Sequence, residues 1–240
     1  MRNEAYPYRI IHIFSLLFAV YMVGLGLFVD FNPTWYMSLW EKVVIYFTPV
    51  LLLFFDMKLH LHKLEDRQEK VTLQHKTMRR IFLIYLIALA TLLFLGSTFR
   101  LGFFERNIWH AKPFTKEHFE DYCNFEFFKS IKMYYHAYLY HSMTTRTIVL
   151  NLLGNLIAFA PFGFFIPVLY RKKFKNIFFF TIFVIGASIL CEFIQFITMV
   201  GQADVDDVLL NTIGAIMMYI FMYLPPVHKL THKILPYGNF

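Results

Sequence analysis

The apolar residues of this 240-residue chain gather into long runs instead of alternating with polar ones, which is the pattern of helices that cross a bilayer. The first run, Ile10 to Val29, carries no charged side chain apart from the neutral-capable His12 and follows a short basic start with Arg2 and Arg9. It is long for the apolar region of a secretory signal and lacks a small-x-small cleavage pattern, so a retained helix is expected. The second run, Val43 to Phe55, falls short of the roughly 30 Å hydrocarbon core at about 1.5 Å per residue. It reaches span length only by continuing to about Leu61, with Asp56, Lys58 and His60 at the interface and Pro49 as a kink. Further spans follow at Ile81 to Phe99, Thr147 to Tyr170, Asn176 to Val200 and Val208 to Leu224, the last closed by Pro225 and Pro226.

Between these runs the chain is basic or aromatic. From Met57 to Arg80 it is basic and helix-permissive, with Leu61, Leu64, Val71 and Met78 on one stripe. That predicts a helix lying at the membrane face or extending a span into the cytoplasm. His60, His62 and His75 fit no standard zinc spacing and read as surface histidines. The segment from Leu101 to Arg146 is dense in Phe and Tyr, as suits the headgroup region, and predicts re-entrant or interfacial helices that form a lid. Cys123 lies here and Cys191 deep in a later span, so no disulfide between them is expected, and neither has a catalytic signature.

The pattern therefore gives an all-α fold, a polytopic membrane helical bundle of about six transmembrane helices, or five if Val43–Leu61 does not span. Its expected parts are two N-terminal membrane helices with a basic segment (1–80), a membrane domain (81–224) and a short tail (225–240). Composition agrees, with 58% hydrophobic residues, 16% charged and a mean hydropathy of +0.51. A net charge of +7 would suggest nucleic acid in a soluble protein, but here Lys and Arg report topology, and the bilayer is the expected partner, with no nucleic acid. With both termini cytoplasmic in a plasma membrane, 15 Lys and Arg fall inside and 8 outside. The densest cluster, Arg171 to Lys175, then faces inward and the turn at Asp204 to Asp207 outward.

Candidate chemistry concentrates at the outward ends of the last three spans. Asn151 and Asn155 are four apart on one helical face, Gly154 between them allows a neighbouring helix to approach, and Pro161 with Gly163 predicts a kink or break. Glu192 and Gln195 share a face of the fifth span, as do Asp207 and Asn211 of the sixth, whose start Asp206 or Asp207 is expected to cap. All of these lie roughly 5 to 15 Å below the outer surface. An ionisable residue at such depth is costly and is a functional candidate by default, so Glu192 is the expected catalytic or binding carboxylate. It requires protonation or donors, for which Asn155, Gln195 and Asn211 are the candidates.

The combination NLLGNLIAFAPFGFFIP, EFIQ and DVDDVLLNTIGA resembles the VanZ-like family of membrane proteins, over roughly Ile81 to Leu224. The matching positions are Asn151, Gly154, Asn155, Pro161, Gly163, Glu192, Gln195, Asp204, Asp206, Asp207, Asn211 and Gly214. NFEFFKSI, Asn124 to Ile131, resembles the family's Asn-x-x-Pro-Phe segment, with Phe127 where proline is usual. Gly201-Gln202 stands where Gly-Arg is common, which removes a cation beside the carboxylates. The resemblance implies an association with low-level resistance to the glycopeptide teicoplanin in Gram-positive bacteria.

Three functional readings follow. In the first, the polar cluster grips the head group of a lipid-linked envelope precursor or a lipoglycopeptide while an apolar groove takes the acyl chain. In the second, an intramembrane enzyme uses Glu192 as general acid or base, and Asp204, Asp206 and Asp207 hold a divalent cation against a phosphate. No other cofactor is expected, and no Ser, His or Cys nucleophile accompanies the carboxylates in sequence. In the third, Asn151, Asn155, Glu192, Gln195 and Asn211 form a hydrogen-bond network that specifies packing, with the acidic turn solvated.

Overall fold

The computed structural model describes residues 5–32, 35, 37–94, 115–198 and 201–237. Its elements are α1 (Ala5–Phe31), α2 (Leu39–Leu61), α3 (Arg67–Phe94), α4 (Lys116–Tyr122), β1 (Cys123–Asn124), α5 (Lys129–Leu139), α6 (Thr145–Phe174), α7 (Ile177–Thr198), β2 (Ala203–Asp204), α8 (Val205–Tyr223) and α9 (Pro225–Ile234). Among the described residues, six helices are long and apolar enough to cross a membrane: Ile10–Phe31, Leu39–Leu61, Arg67–Phe94, Thr145–Phe174, Ile177–Thr198 and Val205–Tyr223. The protein is an all-α, multi-pass membrane protein. The expected end of the third span at Phe99 and the first part of the Leu101–Arg146 segment lie outside the described residues.

The second span is a full 23-residue helix because it starts before the apolar run. Ser38 and Glu41 form a capping box: the Ser38 hydroxyl accepts the Glu41 N–H at 3.3 Å and the Glu41 carboxylate accepts the Ser38 N–H at 2.7 Å. Of the two arrangements expected for the basic stretch, the structure has the second, in which it extends spans. Met57 to Leu61 ends α2, and Arg67 to Arg80 runs without interruption into the third span as α3. The stripe of Leu61, Leu64, Val71 and Met78 is therefore broken by a turn and has no single face.

The chain forms two compact units. The first, Met1–Phe104 with Leu235–Gly238, contains α1 to α3. Its core includes Leu53, Met57, Met78, Ile81 and Leu89. Two acids are buried there: Asp30 pairs with Lys42 Nζ at 2.6 Å, and Asp56 meets His12 Nδ1 at 2.6 Å. Lys42 is one of the eight Lys and Arg that the topology count puts outside, and it is a buried partner here. Tyr237 donates its N–H to Gln74 Oε1 at 3.2 Å.

The second unit, Glu105–Ile234 with Asn239–Phe240, contains α4 to α9. Its axis is the pair α6 and α8, which approach at two glycines, one from each helix. A Cβ on Gly214 would lie 1.8 Å from the Leu156 carbonyl oxygen, and one on Gly163 would lie 2.2 Å from that of Ala215. Gly154, expected to be such a point, is exposed and has nothing within 4 Å of an added Cβ. Nor does α6 break near Pro161. Its one residue with non-helical dihedrals is Tyr170, at φ −133° and ψ 38°, shortly after Pro167. Phe180 of α7 stacks on Tyr219 of α8 at 4.7 Å, and the Tyr219 hydroxyl donates to the Lys175 carbonyl at 2.8 Å, satisfying a group left over at the end of α6.

Candidate functional site

The acidic turn is folded against a segment some eighty residues earlier. Strands β1 and β2 pair in parallel, with Cys123 opposite Ala203 and Asn124 opposite Asp204. Asp204, not Asp206 or Asp207, is the N-cap of α8: its carboxylate accepts the Asp206 N–H at 2.9 Å. The same carboxylate accepts the Asn124 amide at 2.9 Å and the Ser130 hydroxyl.

Asp206 serves a different helix. The first turn of α5 leaves backbone N–H groups without helical acceptors, and its N-cap, Phe128, sits at φ 65° and supplies no side-chain cap. The Asp206 carboxylate fills that role from across the unit, accepting the N–H groups of Phe128 at 2.6 Å, Ser130 at 2.9 Å and Ile131 at 3.2 Å. Three donors and the positive end of a helix dipole compensate a charge that is 0% exposed.

Glu192 is buried late in α7, and its Oε2 accepts the Asp204 N–H at 3.2 Å. None of the three donors expected from sequence reaches it. The Asn155 side chain bonds Asp207, and Asn211 donates to Ser188 Oγ at 2.8 Å, one turn before Glu192. The Gln195 amide lies where a Cβ on Gly201 would come within 3.5 Å. Asn151 is exposed and donates to the Thr147 carbonyl of its own helix at 2.9 Å. The structure therefore brings together Asn155, Glu192, Asp204, Asp206 and Asp207, and places Asn211 beside Ser188 and Asn151 apart.

Three participating residues are not singled out by their side chains in the sequence. Asn124 and Ser130 hold Asp204. Tyr134 of α5 is half-buried, and its phenol is pushed above its ordinary range, first by burial and then by the negative charges of Asp207 and Asp204. The resemblance of Asn124 to Ile131 to a family motif is the available signal for the first two. Among the described residues, no Lys or Arg forms an ion pair with Glu192, Asp204, Asp206 or Asp207. Gln202, at the position where arginine is common, is exposed. A divalent cation held by all three aspartates would have to displace the donors of Asp204 and Asp206.

Beside these acids lies an apolar cavity of about 670 Å³. Phe119, Phe125, Phe127, Ile189, Phe193 and Phe196 are among its walls, and Glu192 and Asp204 are its acidic members. Phe127, standing where proline is usual, contributes an aromatic wall. The volume falls in the ordinary range of ligand pockets, about 300 to 1,000 Å³, and the chemistry of the lining suits a hydrocarbon chain ending near a polar group.

A family model described as VanZ/LLP1 matches residues 82–225, more than half of the chain. No curated protein matches the chain. No solved structure matches it.

Proposed function

The chain belongs to the VanZ/LLP1 family, and on that premise we propose that it binds or modifies a lipid-linked component of the bacterial envelope. The hydrocarbon portion lies in the apolar cavity and the polar portion meets Glu192. Through this it contributes to resistance towards lipoglycopeptides such as teicoplanin. The observation supporting this reading is the cavity of about 670 Å³ whose apolar walls end at Glu192 and Asp204. Glu192 suits the role better than its acidic neighbours because its carboxylate accepts from the Asp204 N–H alone among the described residues, whereas Asp206 has three donors.

In this reading the protein sits in the plasma membrane with both termini cytoplasmic and the acidic turn outward. A cysteine placed at Ala203 labels with an impermeant thiol reagent in intact cells, and one at Lys173 does not. The reverse pattern defeats the orientation.

The ligand test is lipid analysis of the purified protein. One class of acyl-bearing, lipid-linked molecule co-purifies with the wild type near one per chain. It is depleted in Ile189→Trp, which fills the cavity, and in Glu192→Gln, which keeps shape while removing charge. Equal recovery from all three proteins defeats the reading. The donors that saturate Asp204 and Asp206 favour a second role for those two residues: they hold α5 and β1 against α8.

A further inference from the structure

We propose that His12, Asp56 and His60 form a binding site for one divalent transition-metal ion, of the zinc type, in the N-terminal unit. The site lies outside residues 82–225, the part of the chain matched by the family model, and shares no residue with the apolar cavity. His12 comes from α1, and Asp56 and His60 are one turn apart on α2. One nitrogen of each imidazole and one carboxylate oxygen all lie within 4.8 Å of one another.

Four observations point to a ligand. First, Asp56 is 4% exposed, and the partners that meet its carboxylate are two imidazoles, His12 and His60. Second, its Oδ1 is buried without a hydrogen bond: the His60 ring nitrogen stands 3.1 Å away but bonds the Asp56 backbone carbonyl at 3.0 Å. A buried carboxylate oxygen with a vacant lone pair is an acceptor aimed at something. Third, two imidazoles with one carboxylate is the donor set of zinc and related ions, which bind imidazole nitrogen and carboxylate oxygen at about 2.0 to 2.2 Å. Fourth, there is a way in: His12 is part of the wall of a cavity of about 340 Å³.

Ligand atoms of a tetrahedral zinc site are about 3.3 Å apart at these bond lengths. His12 Nδ1 stands 2.6 Å from Asp56 Oδ2 and His60 Nδ1 3.1 Å from Asp56 Oδ1, and with one ligand atom from each residue no separation exceeds 4.8 Å, so side-chain shifts of about 1 to 2 Å bring the set to that spacing. The cavity wall also carries Glu69, Lys76 and Arg80. The two cations oppose a bare metal ion but suit an anionic fourth ligand, such as hydroxide or a carboxylate. This ligand set is not legible as a zinc motif because His12 lies 44 residues before Asp56 and on another helix.

The test uses the full chain without a histidine tag, purified in detergent, stripped with a chelator and titrated with Co2+. Wild type binds one Co2+ per chain with a visible ligand-field band that Zn2+ abolishes by displacement. Its proton spectrum contains hyperfine-shifted signals from two imidazole rings. His12→Gln, Asp56→Asn and His60→Gln each weaken binding beyond the 10- to 100-fold that loss of an outer partner costs. His62→Gln, altered in the exposed turn after α2, changes it less than about 3-fold. Absence of stoichiometric binding by the wild type, or shifted signals from fewer than two rings, overturns the proposal without any variant having to fold. So does binding that survives both histidine substitutions.

Discussion

The two units bury carboxylates in opposite ways. In the N-terminal unit each buried acid has a side-chain partner able to carry positive charge, Lys42 for Asp30 and His12 for Asp56. In the C-terminal unit Glu192, Asp204 and Asp206 are held by neutral donors: backbone N–H groups, an amide and a hydroxyl. The first arrangement pairs each acid with an ionisable side chain. The second uses neutral groups, and the Tyr134 phenol, raised first by burial, is raised further by Asp207 and Asp204. A partner that is a side chain can be exchanged together with the acid, whereas a partner that is backbone cannot.

That difference is broken most severely at Asp206. Asp206→Ala orphans three backbone N–H groups at about 1 to 3 kcal/mol each, so a loss of more than about 3 kcal/mol is expected. Thermal unfolding in detergent measures it, with hydrogen exchange rising first across Phe128 to Leu139. No second substitution restores it. In the other unit, Lys42→Met costs about 3 kcal/mol by stranding Asp30, but the double change Asp30→Leu with Lys42→Met returns to within about 1 kcal/mol of wild type. Failure of the double variant to recover would erase the contrast between the units.

A smaller effect is expected at Glu192. Glu192→Gln keeps an acceptor for the single Asp204 N–H, so it melts within about 1 kcal/mol of wild type while losing the co-purifying ligand. The smallest is spectroscopic. Asp207→Asn removes one of the charges that raise Tyr134, so its ultraviolet titration moves down towards the ordinary phenol range, though not fully, because burial is the larger cause. Folding raises that ionisation. The Tyr134 contribution to stability is therefore complete below the unfolded tyrosine range and is lost as the pH climbs towards the folded value.

The spans are legible in the sequence because an apolar run of this length, nearly free of charge, is stable where hydrocarbon replaces water around a helix. The start of α2 escapes the pattern because the charged Glu41 and Lys42 interrupt the run, although Ser38 and Glu41 carry the capping signal. Gly154 misleads for a reason of position. On α6 it shares its surroundings with the exposed Asn151, while the close approach of α8 occurs at Leu156 and Gly163. Local periodicity identifies a face but not how far along it the neighbour extends. The donors of Glu192 and Asp206 escape for a stronger reason: they are main-chain groups, and no residue type announces them. Spacing rules within one helix likewise cannot join Asp204 to Ser130, 74 residues earlier.

The cap that Asp206 places on α5 also sets an order of assembly. Phe128 leaves the ribosome 78 residues before the acid that satisfies its N–H, which at about 5 to 20 residues per second is a delay of roughly 4 to 16 s. During that interval α6 and α7 are synthesised while the first turn of α5 has no acceptor and the wall of the cavity has no partner strand. Only the arrival of Ala203 to Asp206 closes the loop. A nascent chain stalled before Asp206 therefore presents α5 as the part open to protease or chaperone, and the cavity is completed late in biogenesis.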